Sequence, residues 1–371
     1  MFQSLNRLGE DAILGVMARF RADPSPRKVD LGVGVFRNAA GATPVLNSVR
    51  RAEREVLAEQ NTKSYVAPAG RAEFNEAVTS LVLGDGHPAI ADRRVVALQA
   101  PGGCGALRVG AELIHAADAA TTVWVGDPTW ANHLPLIGGS GLRLERYPYY
   151  DTAARSLSFD AMIERLDRAA AGSVVLVHAC CHNPTGADLD AGQWRTLIEL
   201  LRRRRLIPYL DLAYQGFGAG LDADASGVRL VADSLPECLV ATSFSKNLGL
   251  YRERVGALLV VCESEERAAA VRSHVLQIAR SIYSMPPDHG AAIAARVLQN
   301  ADLREEWLGE LAAMRERIVS MRRLLAKLLR ELRGDDAFGF LEHQHGMFSL
   351  LGASGAAVER LRDEHHVYMT A

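Results

Sequence analysis

An α/β core built on a largely parallel sheet is the fold this chain predicts. Three observations carry it. Short apolar runs alternate with longer helical patterns along most of the 371 residues. Several runs are almost continuously apolar, as in Val174-Val175-Leu176-Val177, which marks strands buried on both faces. A composition of 49% hydrophobic and 23% charged residues is that of ordinary soluble globular protein.

The strand candidates, in order, are residues 94–99, 121–126, 173–178, 206–211, 238–242 and 255–261. Helical patterns lie between them at 105–117, 159–170 and 191–204. Residues 301–333 form one long amphipathic pattern. Its Leu308, Leu311, Ile318, Met321, Leu324, Leu325 and Leu328 read as a stripe facing a core or bridging domains. Residues 338–351 have hairpin character around Gly346, and 356–365 is helical again. Residues 46–310 are expected to form a large domain. Residues 1–45 and 311–371 together form a smaller one.

A net charge of −2 and a pI near 6.6 give no reason to expect nucleic acid or an anionic membrane as partner. The basic run Arg202-Arg203-Arg204-Arg205 closes a helical pattern, where the helix dipole favours cations. No apolar stretch is long enough to span a bilayer, and residues 1–10 lack the pattern of a signal peptide. The five cysteines, 104, 180, 181, 238 and 262, are odd in number and two are adjacent. That argues against a disulfide framework and for a reducing, cytoplasmic setting.

The chemistry gathers where strands end, the place ligands bind in open α/β sheets. Lys246 stands in Ser243-Phe244-Ser245-Lys246-Asn247, with Arg254 close behind. A lysine amine can condense with the carbonyl of a phosphorylated aldehyde, and hydroxyls with a guanidinium can hold the phosphate. Asp211 ends one strand, with Tyr214 just beyond. Asn183 follows the strand that carries His178, and Trp130 follows another. Gly102-Gly103-Cys104-Gly105 joins the first strand to a helix, an anion-binding N-terminus.

Plainer readings exist for each. Asp211 could be a helix N-cap, Trp130 core, and Arg280 a surface arginine. His178 and His182 beside Cys180 and Cys181 suggest zinc, but neighbouring strand residues point to opposite faces and no second pair completes a site. No metal is therefore expected. A nicotinamide dehydrogenase is opposed by arginine at the third glycine position, both after Gly103-Cys104-Gly105 and after Gly32-Val33-Gly34.

These motifs resemble those of the fold type I pyridoxal-phosphate aminotransferases, and among them the aspartate/aromatic aminotransferase family. The resemblance runs the length of the chain. It is carried by Cys180 to Gly186, Asp211-Leu212-Ala213-Tyr214-Gln215-Gly216-Phe217, Ser243 to Gly256, and Tyr283-Ser284-Met285-Pro286-Pro287. It implies a mostly parallel, seven-stranded type of sheet flanked by helices, with a smaller α/β domain from both chain ends. It implies pyridoxal 5′-phosphate as cofactor and ping-pong exchange between aspartate or aromatic amino acids and 2-oxoglutarate. Lys246 would hold the cofactor covalently and shuttle the α-proton. Asp211 would pair with the ring nitrogen, supported by His133 and His178. Tyr214 and Asn183 would bond the ring oxygen, and Trp130 would stack on the ring. Ser243, Ser245, Arg254, Gly103 and Cys104 would take the phosphate. Tyr65 would reach the phosphate of the neighbouring subunit in a homodimer. Arg280 would bind a substrate side-chain carboxylate across the same interface, and Gly34 would close over the substrate.

Three departures stand out. Cys104 replaces a hydroxyl residue. Met285 and Ser64 stand where aspartate-preferring members often have asparagine, and a more apolar pocket at Met285 could widen acceptance towards aromatic side chains. Family members continue beyond the position of Ala371 through a Gly-Arg pair that binds the substrate α-carboxylate. On that ground a second expectation is a cofactor-binding but catalytically impaired dimer partner or remnant.

Overall fold

The structure is a computed structural model that describes residues 2–7, 9, 12–32 and 34–370. The chain divides into two compact units, residues 36–350 and residues 1–35 with 351–371. The boundaries differ from those expected at 46 and 310. The helix Ala301–Arg333 is continuous and packs on the helices Asn47–Glu59 and His289–Gln299, which draws residues 311–350 into the larger unit.

The larger unit is built on a seven-stranded sheet. Its strands are β1 (Val95–Pro101), β2 (Thr122–Asp127), β3 (Arg143–Pro148), β4 (Val174–His178), β5 (Ile207–Leu212), β6 (Cys238–Ser243) and β7 (Val255–Val261). The spatial order is β1-β7-β6-β5-β4-β2-β3. All pairings are parallel except those of β7, which runs antiparallel to both neighbours. Every residue of β4, β6 and β7 is buried, as their unbroken apolar runs require.

Six strands match the predicted runs. The seventh, β3, escaped because Arg143-Leu144-Glu145-Arg146-Tyr147-Pro148 mixes charged with apolar residues. That composition suits the edge it occupies, where charge discourages further pairing.

Two apolar cores flank the sheet. One lies under the helices α1 (Gly102–Ala117) and α2 (Glu265–Ile282). The other includes Trp307 and Leu311 of α3 (Ala301–Arg333). The expected stripe on α3 is only partly buried. Leu311 is buried, whereas Leu308, Met321, Leu324, Leu325 and Leu328 are exposed.

The hairpin expected at 338–351 does not form. A short 3₁₀ turn, Gly339–His343, leads into an extended loop. The Arg322 guanidinium donates to the carbonyls of Gly346 and Phe348, which takes those acceptors away from any ladder.

In the smaller unit, the helices Ala12–Ala22 and Gly355–His365 accompany a parallel pair, Val29–Asp30 with Val367–Tyr368. Asp23 accepts from the Tyr368 hydroxyl at 2.8 Å, and Phe20 meets Tyr368 edge to face.

Candidate active site

Register brings the site together. Ser243 at the end of β6 lies opposite Gly256 of β7, and Val255 opposite Pro101 of β1. The end of β6, the start of β7 and the end of β1 therefore share one sheet edge. The 244–254 connection and the start of α1 lie at that edge. His178 of β4 pairs with Asp211 of β5, which continues the edge across the sheet.

At one end of the resulting cavity is an anion cradle. A methyl group on Gly102 would fall 2.5 Å from Arg254 Nη2, so only glycine lets the guanidinium lie against the start of α1. A Cβ on Gly256 would sit 2.5 Å from the Gly102 carbonyl carbon. Arg254 donates to Tyr251 O at 3.1 Å and Ser245 Oγ at 3.5 Å, and has no carboxylate partner among the described residues. The Ser245 amide donates to Ser243 Oγ. Cys104 Sγ accepts from Asn132 Nδ2 at 3.7 Å. The unpaired first amides of a 16-residue helix add to the positive field.

At the other end Asp211 is buried and accepts from His133 Nε2 at 3.0 Å. That leaves His133 Nδ1 to accept from the Thr129 hydroxyl at 2.8 Å. Burial works to raise the Asp211 pKa. The His133 hydrogen bond, with the neighbouring imidazoles and the Lys246 amine, outweighs it, so the carboxyl sits below its usual range. His178 packs 5.0 Å from the His133 ring, centroid to centroid, with its buried Nε2 unpartnered. Burial, then His133, holds its pKa down to about 3.

Lys246 lies between the two ends, its Nζ 4.8 Å above the Tyr214 ring. Burial lowers its pKa, and the Asp211 charge only partly offsets this. Tyr214 hydrogen-bonds Asn183, and burial keeps its hydroxyl protonated. Trp130 meets His133 edge to face. One cavity of about 220 Å³ is lined by Gly103, Cys104, Trp130, Asn183, Asp211, Tyr214, Ser243, Ser245, Lys246 and Arg254 together.

Three expected residues are not among those that line this cavity. Tyr65 is 89% exposed, and Arg280 is exposed near the end of α2, where it hydrogen-bonds Ser284. The two are near each other, since the Val66 amide donates to Met285 Sδ. Gly34 belongs to the smaller unit.

Some contributors were not read from the sequence. Tyr251 lines the cavity and accepts from the Phe36 amide at 3.0 Å. Asp188 accepts from the Cys181 and His182 amides, and Asp224 from those of Gly216, Gly218 and Ala219. Both acids brace site loops through backbone contacts that leave no mark in residue spacing. The cysteine argument also needs correction. Cys180 and Cys181 lie beyond the end of β4, and Cys181 has φ 51°. Their thiols hydrogen-bond each other instead of facing apart.

The cavity is cationic at one end, has a carboxylate at the other and carries an amine between. That fits pyridoxal phosphate, an anion at its phosphate and a cation at its ring nitrogen. Fold and site thus define an enzyme of the pyridoxal-phosphate type. The family model described as aminotransferase class I and II matches residues 26–371, and the chain belongs to that family. It is 44% identical to an aromatic-amino-acid aminotransferase of Pseudomonas aeruginosa, covering 100% of this chain and 92% of that one. It is 43% identical to an aspartate aminotransferase of Escherichia coli, covering 100% and 94%. The crystal structure of a Burkholderia pseudomallei aromatic-amino-acid aminotransferase, covalently bound to pyridoxal phosphate, superposes with a TM-score of 0.97. The two share 43% identity, over 99% of this chain and 92% of that one.

Proposed function

We propose that this aminotransferase moves the amino group of aspartate, and of aromatic amino acids, to 2-oxoglutarate in a ping-pong cycle. The observation that carries the reading is the meeting of Lys246, Asp211 and Arg254 in one cavity. Relatives named for aspartate and for aromatic substrates are nearly equal in identity, which supports both substrate classes. That the relatives are themselves named as aminotransferases supports turnover over the impaired alternative.

The cofactor is pyridoxal phosphate. Bound, it supplies an aldehyde that takes up an amino group and a ring that draws electron density from the substrate α-carbon. The chain does the rest. Arg254, Ser243, Ser245, Cys104 and the Gly103 amide hold the phosphate. Asp211, its carboxyl pKa lowered, would hold a proton on the ring nitrogen. The Lys246 amine, its pKa lowered, would anchor the cofactor at its aldehyde and carry the proton of the substrate α-carbon. Tyr214 and Asn183 would donate to the ring oxygen, and Trp130 would shield the cofactor from water.

Tyr65, Arg280 and Ile282 form an exposed set in the larger unit. We read it as the face of a homodimer in which Tyr65 completes the partner's phosphate site and Arg280 its substrate site. Five free cysteines support a cytoplasmic setting. Among the described residues no helix is long and apolar enough to cross a membrane.

The test is steady-state turnover of aspartate and of phenylalanine, before and after Arg280→Ala. Removing one partner of a desolvated ion pair costs about 2–5 kcal/mol, or roughly 30- to 5,000-fold in kcat/KM. That loss is expected for aspartate, with phenylalanine much less affected. Equal effects on both would remove Arg280 from substrate recognition.

A further inference from the structure

Tyr209 is the third residue of β5, two positions before Asp211, so both side chains project from one face of the sheet. That face is covered by α1. The Tyr209 hydroxyl reaches into α1 and lies 3.1 Å from the carbonyls of both Ala106 and Leu107. The side chain is fully buried. Burial, then the Asp211 charge, raises its pKa well above the ordinary tyrosine range, so the hydroxyl remains a donor.

The helix is cut to receive it. A Cβ on Gly110 would stand 2.1 Å from the Tyr209 oxygen and 2.6 Å from Cζ, closer than atoms can approach. Gly110 sits inside α1, where glycine costs about 1 kcal/mol against alanine. No left-handed backbone conformation requires it. The notch for the tyrosine ring is what the glycine provides.

The geometry points to Tyr209 and Gly110 as a positioning pair that fixes the start of α1 against the β5 strand bearing Asp211, and so sets the span between the two ends of the cofactor. The inference rests on the proposed roles of α1 and Asp211. Gly103 and Cys104 precede Ala106 by less than one turn, so the contact clamps the cradle end of the helix. A shift of α1 along its axis would move the phosphate cradle while Asp211 stayed in the sheet.

The test compares apoprotein of the wild type, Tyr209→Phe and the double variant Tyr209→Leu/Gly110→Ala. The dissociation constant for pyridoxal phosphate is read by tryptophan quenching, the ³¹P shift of the bound phosphate by NMR, and the melting temperature without cofactor serves as the control. Tyr209→Phe removes only the hydroxyl. Loss of the hydrogen bond is expected to weaken cofactor binding about tenfold and to move the ³¹P resonance. The double variant fills the notch without a clash. It is expected to melt near the wild type yet bind the cofactor as weakly as Tyr209→Phe, which keeps the test decisive if the single variant folds poorly. Affinity within about twofold of wild type, with an unmoved ³¹P line in either folded variant, overturns the pairing whatever the melting temperature does. A wild type that fails to bind pyridoxal phosphate defeats the underlying reading instead, and the pairing with it.

Discussion

His178 is a buried imidazole that the fold keeps uncharged. Its unfolded pKa is about 6.5 and its folded value about 3, while burial, then His178 and His133, also push His182 well down. Above about pH 6.5 both groups are neutral in either state and add no pH dependence. Below that, the unfolded chain takes up protons that the native state refuses. Stability should therefore fall as pH drops from about 6.5 towards 3, by roughly 1.4 kcal/mol per unit for each histidine. Asp211 acts in the same direction at lower pH. Its depressed carboxyl contributes stability above its unfolded value, and that contribution is lost as acid reaches the folded value. Urea unfolding at pH 7 and pH 5 should show a lower midpoint at pH 5. An equal or higher midpoint would mean these histidines accept protons in the native protein. At this scale Lys246, Asp211 and Arg254 were legible in the sequence, because each sits next to a recognisable strand. The Thr129–His133–Asp211 chain was only partly so. His133 came from the resemblance, and the Thr129 contact depends on a loop conformation that no periodicity encodes.

The connection between β6 and β7 is the element on which the site turns, for it carries Lys246 and Arg254 within eleven residues. Its ends are fixed by a pairing in which Gly256 lies against backbone. An added methyl would meet the Gly102 carbonyl oxygen and the Thr242 carbonyl oxygen, each at 2.7 Å. Backbone on both sides cannot swing away as a side chain can. Gly256→Ala should destabilise the protein by about 1–3 kcal/mol and loosen the cofactor, since it pries β7 from β1 at the phosphate cradle. Thermal melting and cofactor retention on gel filtration would check both effects, and an unaltered variant would contradict the packing described. Six of the seven sheet strands were legible as apolar runs. The edge strand β3 was not, because an edge needs no continuous apolar run. The 338–351 segment misled because its character around Gly346 read as a hairpin, whereas Arg322 claims the carbonyls a ladder would need.

For the whole molecule, a sheet with one antiparallel strand places amine, carboxylate and anion cradle along a single edge. The division into units was less legible. The boundary expected at 310 falls inside a 33-residue helix, and residues 311–350 stay with the larger unit. The surface holding Tyr65 and Arg280 gains its proposed purpose only from a second copy of the chain, so both look idle in one chain. The central claim is the attachment of pyridoxal phosphate to Lys246, and the sequence makes it unusually easy to test. Lysine occurs only at positions 28, 63, 246 and 327. Cofactor-loaded protein can be reduced with borohydride, digested and mapped by mass spectrometry. One pyridoxyl phosphate group per chain on the peptide holding Lys246 is the predicted result; a label on another lysine, or none at all, would contradict it.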